Sequence, residues 1–324
     1  MASATAPDRR RKVSAQSFGR FGTIIGFLIL VVFFSITSPT FLRTDNLLNI
    51  LTASSLLGII SCGLTIVLVL NDFDLSVGYV ATLGGMYAAG FSVSYGIPVG
   101  VAAGIGIGLA AGVVNGLIIT YLNVSAFIAT LGLGIILQGV IFAFTGGAQI
   151  SQGIPEGFNL LGVGSTLGVR NLVWCLLIVM VLSWIMLTHT PLGRKMYAIG
   201  GNPVAARLSG INVRGVRITA FVISGVLAGF AGVLLASNLN AGNPTAGTAY
   251  LFDAFTACFV GAATLRDGDF HILGTLVGIL LLGVLSNGLV LLGVPPAWQT
   301  IAKGTVLILA VAFSGLLRRK AVET

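Results

Sequence analysis

The stretch Thr188–Arg217, THTPLGRKMYAIGGNPVAARLSGINVRGVR, decides how this chain is read. It carries Arg194, Lys195, Arg207, Arg214 and Arg217 and no acid, in a 324-residue protein where charged residues make up 8%. Two long apolar runs flank it. Such a segment stays outside the hydrocarbon of a bilayer, and its excess of Lys and Arg marks the cytoplasmic side. Within it the residues spell a short helix. Asn202 can cap the N-terminus, Pro203 suits the first helical position, and Gly210 suits the C-terminal stop. Val204, Leu208 and Ile211 then recur at i, i+4 and i+7 as an apolar stripe. A helix this short is not stable alone in water, and its stripe needs a cover. The segment reads as a docking element.

Outward from this loop, apolar runs dominate: hydrophobic residues reach 56% and the mean hydropathy is +1.03. The fold class is therefore all-α, a polytopic membrane helix bundle of about ten transmembrane segments. Spans are expected near 21–37, 47–70, 77–96, 98–122, 125–145, 172–188, 218–239, 254–265, 272–292 and 301–317. The eighth is short and the turns after the third and fourth are tight, which suits broken or re-entrant spans. Ten spans put both termini on one side. Of the 17 basic residues, all but Arg43, Arg170 and Lys303 then fall on the cytoplasmic side, as the positive-inside rule requires. The organisation is a cytoplasmic tail (1–20), one transmembrane domain (21–317) with its cytoplasmic loop at 188–217, and a second cytoplasmic tail (318–324). The basic patch before the first run resembles a signal peptide, but Thr37-Ser38-Pro39-Thr40 offers no cleavage site.

Several chemistries are excluded. The net charge of +8 is spread along the membrane margins, so nucleic acid is not an expected partner. No G-x-x-x-x-G-K-[ST] loop, H-E-x-x-H or C-x-x-C occurs, and two histidines, His189 and His271, make no metal cluster. His189 suits the membrane interface. Cys62, Cys175 and Cys258 lie inside apolar runs and read as packing residues.

Glycine sets the packing. Gly100, Gly104, Gly108, Gly112 and Gly116 recur every four residues, a groove for a closely approaching helix, and Gly225, Gly229 and Gly232 suggest a second contact. Ionisable and amide residues at membrane depth are functional candidates. Asp74 and Ser76, with Asp72 nearby, are either a gate or the cap of a helix start; Asp253 carries the same ambiguity. Gln138, Asn115 and Asn287 are interior amides that need a partner helix or a watery path. Asn240 belongs to the uncharged polar stretch 238–247, suited to a hydroxyl-rich solute or to an ordinary loop. There is no row of carboxylates like that of a proton-coupled pump.

Asp74-Leu75-Ser76-Val77-Gly78, Ser125-Ala126-Phe127-Ile128-Ala129-Thr130-Leu131, Thr190-Pro191-Leu192-Gly193-Arg194, Gly200-Gly201-Asn202 leading to Ala206-Arg207-Leu208-Ser209-Gly210-Ile211, and Pro244-Thr245-Ala246-Gly247 follow one another in order. Over about residues 44 to 317 the chain thereby resembles the permease subunits of bacterial ATP-binding-cassette importers for simple sugars, the ribose-permease-like group.

The resemblance implies a non-enzymatic permease of the bacterial inner membrane, paired with a second copy, a cytoplasmic ATPase and an external solute-binding protein. It implies no cofactor on this chain; ATP and Mg belong to the partner ATPase. Asn202, Val204, Ala205, Arg207, Leu208 and Gly210 become the helix that couples to that ATPase. Asp74, Ser76, Gln138, Asn240, Asp253 and Asn287 become the candidates for a substrate path or gate. The solute is a monosaccharide, polyol or furanosyl signal. The alternatives are a branched-chain amino acid or nucleoside permease of the same superfamily, or an ion-coupled secondary transporter. Two features depart from the group's pattern: Asp72, where glycine is usual, and the turn Arg266-Asp267-Gly268-Asp269-Phe270-His271.

Overall fold

A computed structural model describes residues 9–264 and 268–322 and is almost entirely helical. Its helices are α1 (Arg9–Thr37), α2 (Thr44–Val69), α3 (Val77–Tyr95), α4 (Ile97–Tyr121), α5 (Ala126–Thr145), α6 (Leu160–Val163), α7 (Asn171–His189), α8 (Pro191–Gly201), α9 (Pro203–Leu208), α10 (Val213–Leu239), α11 (Tyr250–Ala262), α12 (Ile272–Leu291) and α13 (Pro296–Val322). Each expected span has a helix at its place. Among the described residues there is also an antiparallel hairpin, β1 (Ser165–Thr166) with β2 (Val169–Arg170), turned by Leu167 and Gly168 at positive φ, and an isolated bridge between Ile150 and Gly242.

Among the described residues, six helices, α2, α4, α5, α7, α10 and α12, are long and apolar enough to cross a membrane. Parts of α1 and α13, and the whole of α11, are shorter apolar helices. Both end helices run further than their spans, so the expected tails are helical from Arg9 and up to Val322. Residues 1–8 and 323–324 lie outside the described residues, as do Arg266 and Asp267 of the unusual turn.

The layers follow from which helices are apolar all round. In α2 83% of the most apolar window is buried, against 22% in α5, so α2 is central and α5 peripheral. The outer faces of α5 and α7 carry Phe127, Ile128, Ile135, Ile136, Ile178 and Leu182 exposed.

The two glycine sets turn out to be one interface. Added methyl groups at Gly108 and Gly112 would strike the carbonyls of Gly225 and Phe221 on α10, and one at Gly229 would lie 2.7 Å from the Gly104 carbonyl. Gly232 meets Ala81 and Gly85 of α3 on another side of α10. Helices α3, α4 and α10 thus touch backbone to backbone, the arrangement small residues permit in lipid.

Thirteen residues make α11 about 20 Å long, short of the roughly 30 Å of hydrocarbon. Its approach, residues 240–249, folds back so that Gly247 and Thr248 pack on Gly78 at the start of α3. The turn 70–76 between α2 and α3 climbs alongside α10 in the same way.

Candidate coupling helix and gate

The loop 188–217 holds two helices, one more than expected. Thr190 Oγ1 accepts from the Gly193 amide and Pro191 opens α8, the same start signals as in α9. Met196 and Ile199 of α8 are fully buried and fix it to the bundle. In α9 the expected cap is present: Asn202 Oδ1 accepts from the amides of Val204 and Ala205, both at 3.0 Å. Gly210, at φ +82°, ends the helix, and the Ile211 amide closes on the Ala206 carbonyl. Ala206 is buried beneath, while Val204 and Leu208 stand 66% and 84% exposed on one face. Ile211 is half-buried, so the stripe splits into two bare aliphatic side chains and one anchor. Ala205 and Arg207 are exposed beside them.

The turn 70–76 rises from this level into the bundle. Asn71, in the left-handed region at φ +59°, donates from its side chain to the Gly200 carbonyl of α8 at 2.5 Å. Asp72 receives two bonds from Arg217 in α10, at 2.6 and 3.1 Å. Burial pushes the Asp72 carboxyl above its ordinary value, and Arg217 pulls against that. Asp74 is buried, its Oδ1 accepting from the Ser76 amide and hydroxyl and its Oδ2 from Ser224 of α10 at 2.9 Å. Asn115 of α4 donates to Ser76 Oγ at 2.9 Å. Ser224 lies 11 residues into α10, about 16 Å along its axis. Asp74 accepts from the amide of Ser76, the residue that precedes α3, and Ser76 makes no side-chain cap bond.

A cavity of about 450 Å³ opens beside this turn, lined by Asn71, Asp72, Phe73, Asn123, Phe127 and Arg217 among others. Phe73 also stacks on Phe255 of α11, ring centres 6.2 Å apart.

The other candidates scatter. Asp253, in the first turn of α11, pairs with Lys303 of α13 at 2.6 Å, beside the exposed Phe252. Asn287 exchanges amide bonds with Asn46 of α2, 2.9 Å each way. Asn240 ends α10 in the left-handed region, exposed. Gln138 is exposed on the outer face of α5, so the expectation of an interior amide fails there. One-dimensional hydropathy does not say which side of a peripheral helix an amide faces. Arg217, Ser224 and Lys303 were not singled out from sequence as partners of the aspartates. Their signal was present, since each unpaired acid in a membrane chain requires a donor. His189 is exposed, its ring edge-on to that of Trp184 with centres 4.7 Å apart.

The comparisons put this multi-pass helical membrane protein in the class of transport permeases. The family described as "Branched-chain amino acid transport system / permease component" matches residues 46–311, and the chain belongs to it. It is 42% identical over 293 residues to the ribose import permease protein RbsC of Escherichia coli (strain K12), covering 89% of this chain and 91% of that one. It is 41% identical over 303 residues to RbsC of Bacillus subtilis (strain 168), covering 93% of each. To the L-arabinose ABC transporter permease protein AraH of Azospirillum brasilense it is 34% identical over 320 residues, 98% of this chain and 94% of that one. No solved structure matches.

Proposed function

We propose that this chain is the permease subunit of an ATP-binding-cassette importer for a monosaccharide, ribose or a close relative. It works in the inner membrane with ten spans and both termini in the cytoplasm. The bare pair Val204 and Leu208 on a capped helix carries the reading: on a basic face outside the bilayer, it calls for a protein cleft. That partner is a cytoplasmic ATPase, which holds ATP and Mg, and an external binding protein delivers the sugar. The sugar reading is favoured over amino acids because the relatives named for ribose and arabinose match nearly the whole chain.

The re-entrant turn and the half-helix α11 form the gate. Asp74 and Ser76 act there by holding the turn, since both are sealed from solvent. Phe73 and Phe252 are the surfaces a sugar can reach, with a second copy closing the other wall and lipid covering α7. Asp253 braces the start of α11 through Lys303, and Asn287 ties α12 to α2. Asn240 sets the exit of α10. Gln138, on the outer face of α5, suits the contact with the second copy.

Uptake of labelled D-ribose and L-arabinose by proteoliposomes holding the chain, its ATPase and the binding protein tests this. Uptake that needs ATP supports it. Equal uptake driven by an ion gradient without ATPase overturns it in favour of a secondary transporter.

A further inference from the structure

The turn 70–76 is fastened on both flanks of the docking helix. On the side before α9, Asn71 bonds to the Gly200 carbonyl, two residues ahead of the Asn202 cap, and Gly200 packs against the Val69 backbone at the end of α2. On the side after α9, Arg217 grips Asp72 with two nitrogens. Two residues further, the same turn carries Asp74, bonded into the bundle through Ser224.

The two fastenings differ in kind. Asn71 holds a backbone carbonyl of α8, which is itself fixed by buried Met196 and Ile199. Asp72 holds the start of α10, the segment that leads directly from α9 into the membrane. A bidentate carboxylate–guanidinium pair fixes orientation as well as distance. This one is shielded, with the Asp72 side chain 9% and the Arg217 side chain 29% exposed, so it escapes most of the screening that weakens surface pairs. An apolar contact at this place could slide; a planar pair cannot.

We propose that Asp72 and Arg217 are positioning residues for transport, the link through which the docking helix sets the re-entrant turn and thereby the gate. When α9 is displaced by its partner, α10's first turns move with it, and the ion pair carries that movement to residues 72–76. The pair contacts neither ATP nor any reacting atom. The inference rests on the docking role of α9 proposed above.

The test uses the assembled permease, ATPase and binding protein in proteoliposomes. It follows uptake of whichever of D-ribose and L-arabinose the wild type imports faster, together with ATP hydrolysis with and without loaded binding protein. Asp72→Asn and Arg217→Gln are expected to copurify with the ATPase and to keep basal hydrolysis. Sugar moved per ATP should fall about tenfold or more, the scale of losing a charged hydrogen-bonded contact. The double variant Asp72→Arg/Arg217→Asp should recover part of that loss. Single variants with normal stimulated transport overturn the proposal. So does loss of copurification or of basal hydrolysis, because the pair would then serve the fold alone. Failure of the docking reading shows separately, as Leu208→Asp leaving the ATPase bound.

Discussion

Ser224 of α10 donates to Asp74 Oδ2 at 2.9 Å while Ser76 engages Oδ1 through both its amide and its hydroxyl, so a carboxylate well inside the bundle has both oxygens satisfied. Asp74→Ala strips a partner from each serine at a buried site, at about 1–3 kcal/mol per unsatisfied group. It is expected to lower the melting temperature of the purified permease by several degrees. Asp74→Asn keeps an acceptor for Ser76 and should be milder. Circular dichroism melts in detergent compare the two, and equal, unchanged melts would show that the cluster does not hold the turn.

Leu208→Asp should abolish copurification of the ATPase while leaving insertion and folding intact. A fully covered leucine contributes roughly 1.5–3 kcal/mol, at least tenfold in association. Leu208 is 84% exposed in the chain alone, so its loss costs the fold nothing. A Leu208→Asp permease that still retains its ATPase and imports sugar would instead mean that α9 lies on the inner leaflet.

The glycine interface predicts a contrast. A methyl group at Gly108 runs into the Gly225 carbonyl, whereas one at Gly106 or Gly132 meets nothing within 4 Å. Gly108→Ala is expected to destabilise by about 1–3 kcal/mol, as overpacking does. Gly106→Ala and Gly132→Ala should leave yield and melting unchanged. Similar melts for all three would place α4 and α10 further apart.

Topology is checked by single cysteines at Ala205 and Leu160 in a background without Cys62, Cys175 and Cys258. Both sites are exposed. In intact cells an impermeant maleimide should modify position 160 alone. Labelling of position 205 without permeabilisation would invert the orientation.

The helices at the expected spans and the short helix α9 were legible because their signals are local. Hydropathy runs mark the spans, and Asn202, Pro203 and Gly210 punctuate α9 within nine residues. The same punctuation at Thr190 and Pro191 was there to announce α8. The glycine sets were visible as stripes, but that they face each other depends on how α4 and α10 cross, which no single stripe encodes. Arg217, Ser224 and Lys303 lie 145, 150 and 50 residues from Asp72, Asp74 and Asp253, beyond the reach of any local pattern. Asp72, the departure from the resemblance, is the acid that Arg217 engages. Gln138 shows the reverse limit: an amide in an apolar run suggests an interior place, yet α5 is peripheral and turns it outward.

The backbone contacts among α3, α4 and α10 also restrict how this protein changes shape. Side chains can swing between rotamers and let neighbouring helices slip, but carbonyls seated against glycine Cα atoms have no such slack, and any sliding would drive them into one another. These three helices must therefore travel as one rigid slab. Whatever opens and shuts a passage has to pivot at its edges, where the joints are the extended turn at 70–76 and the folded-back stretch at 240–249.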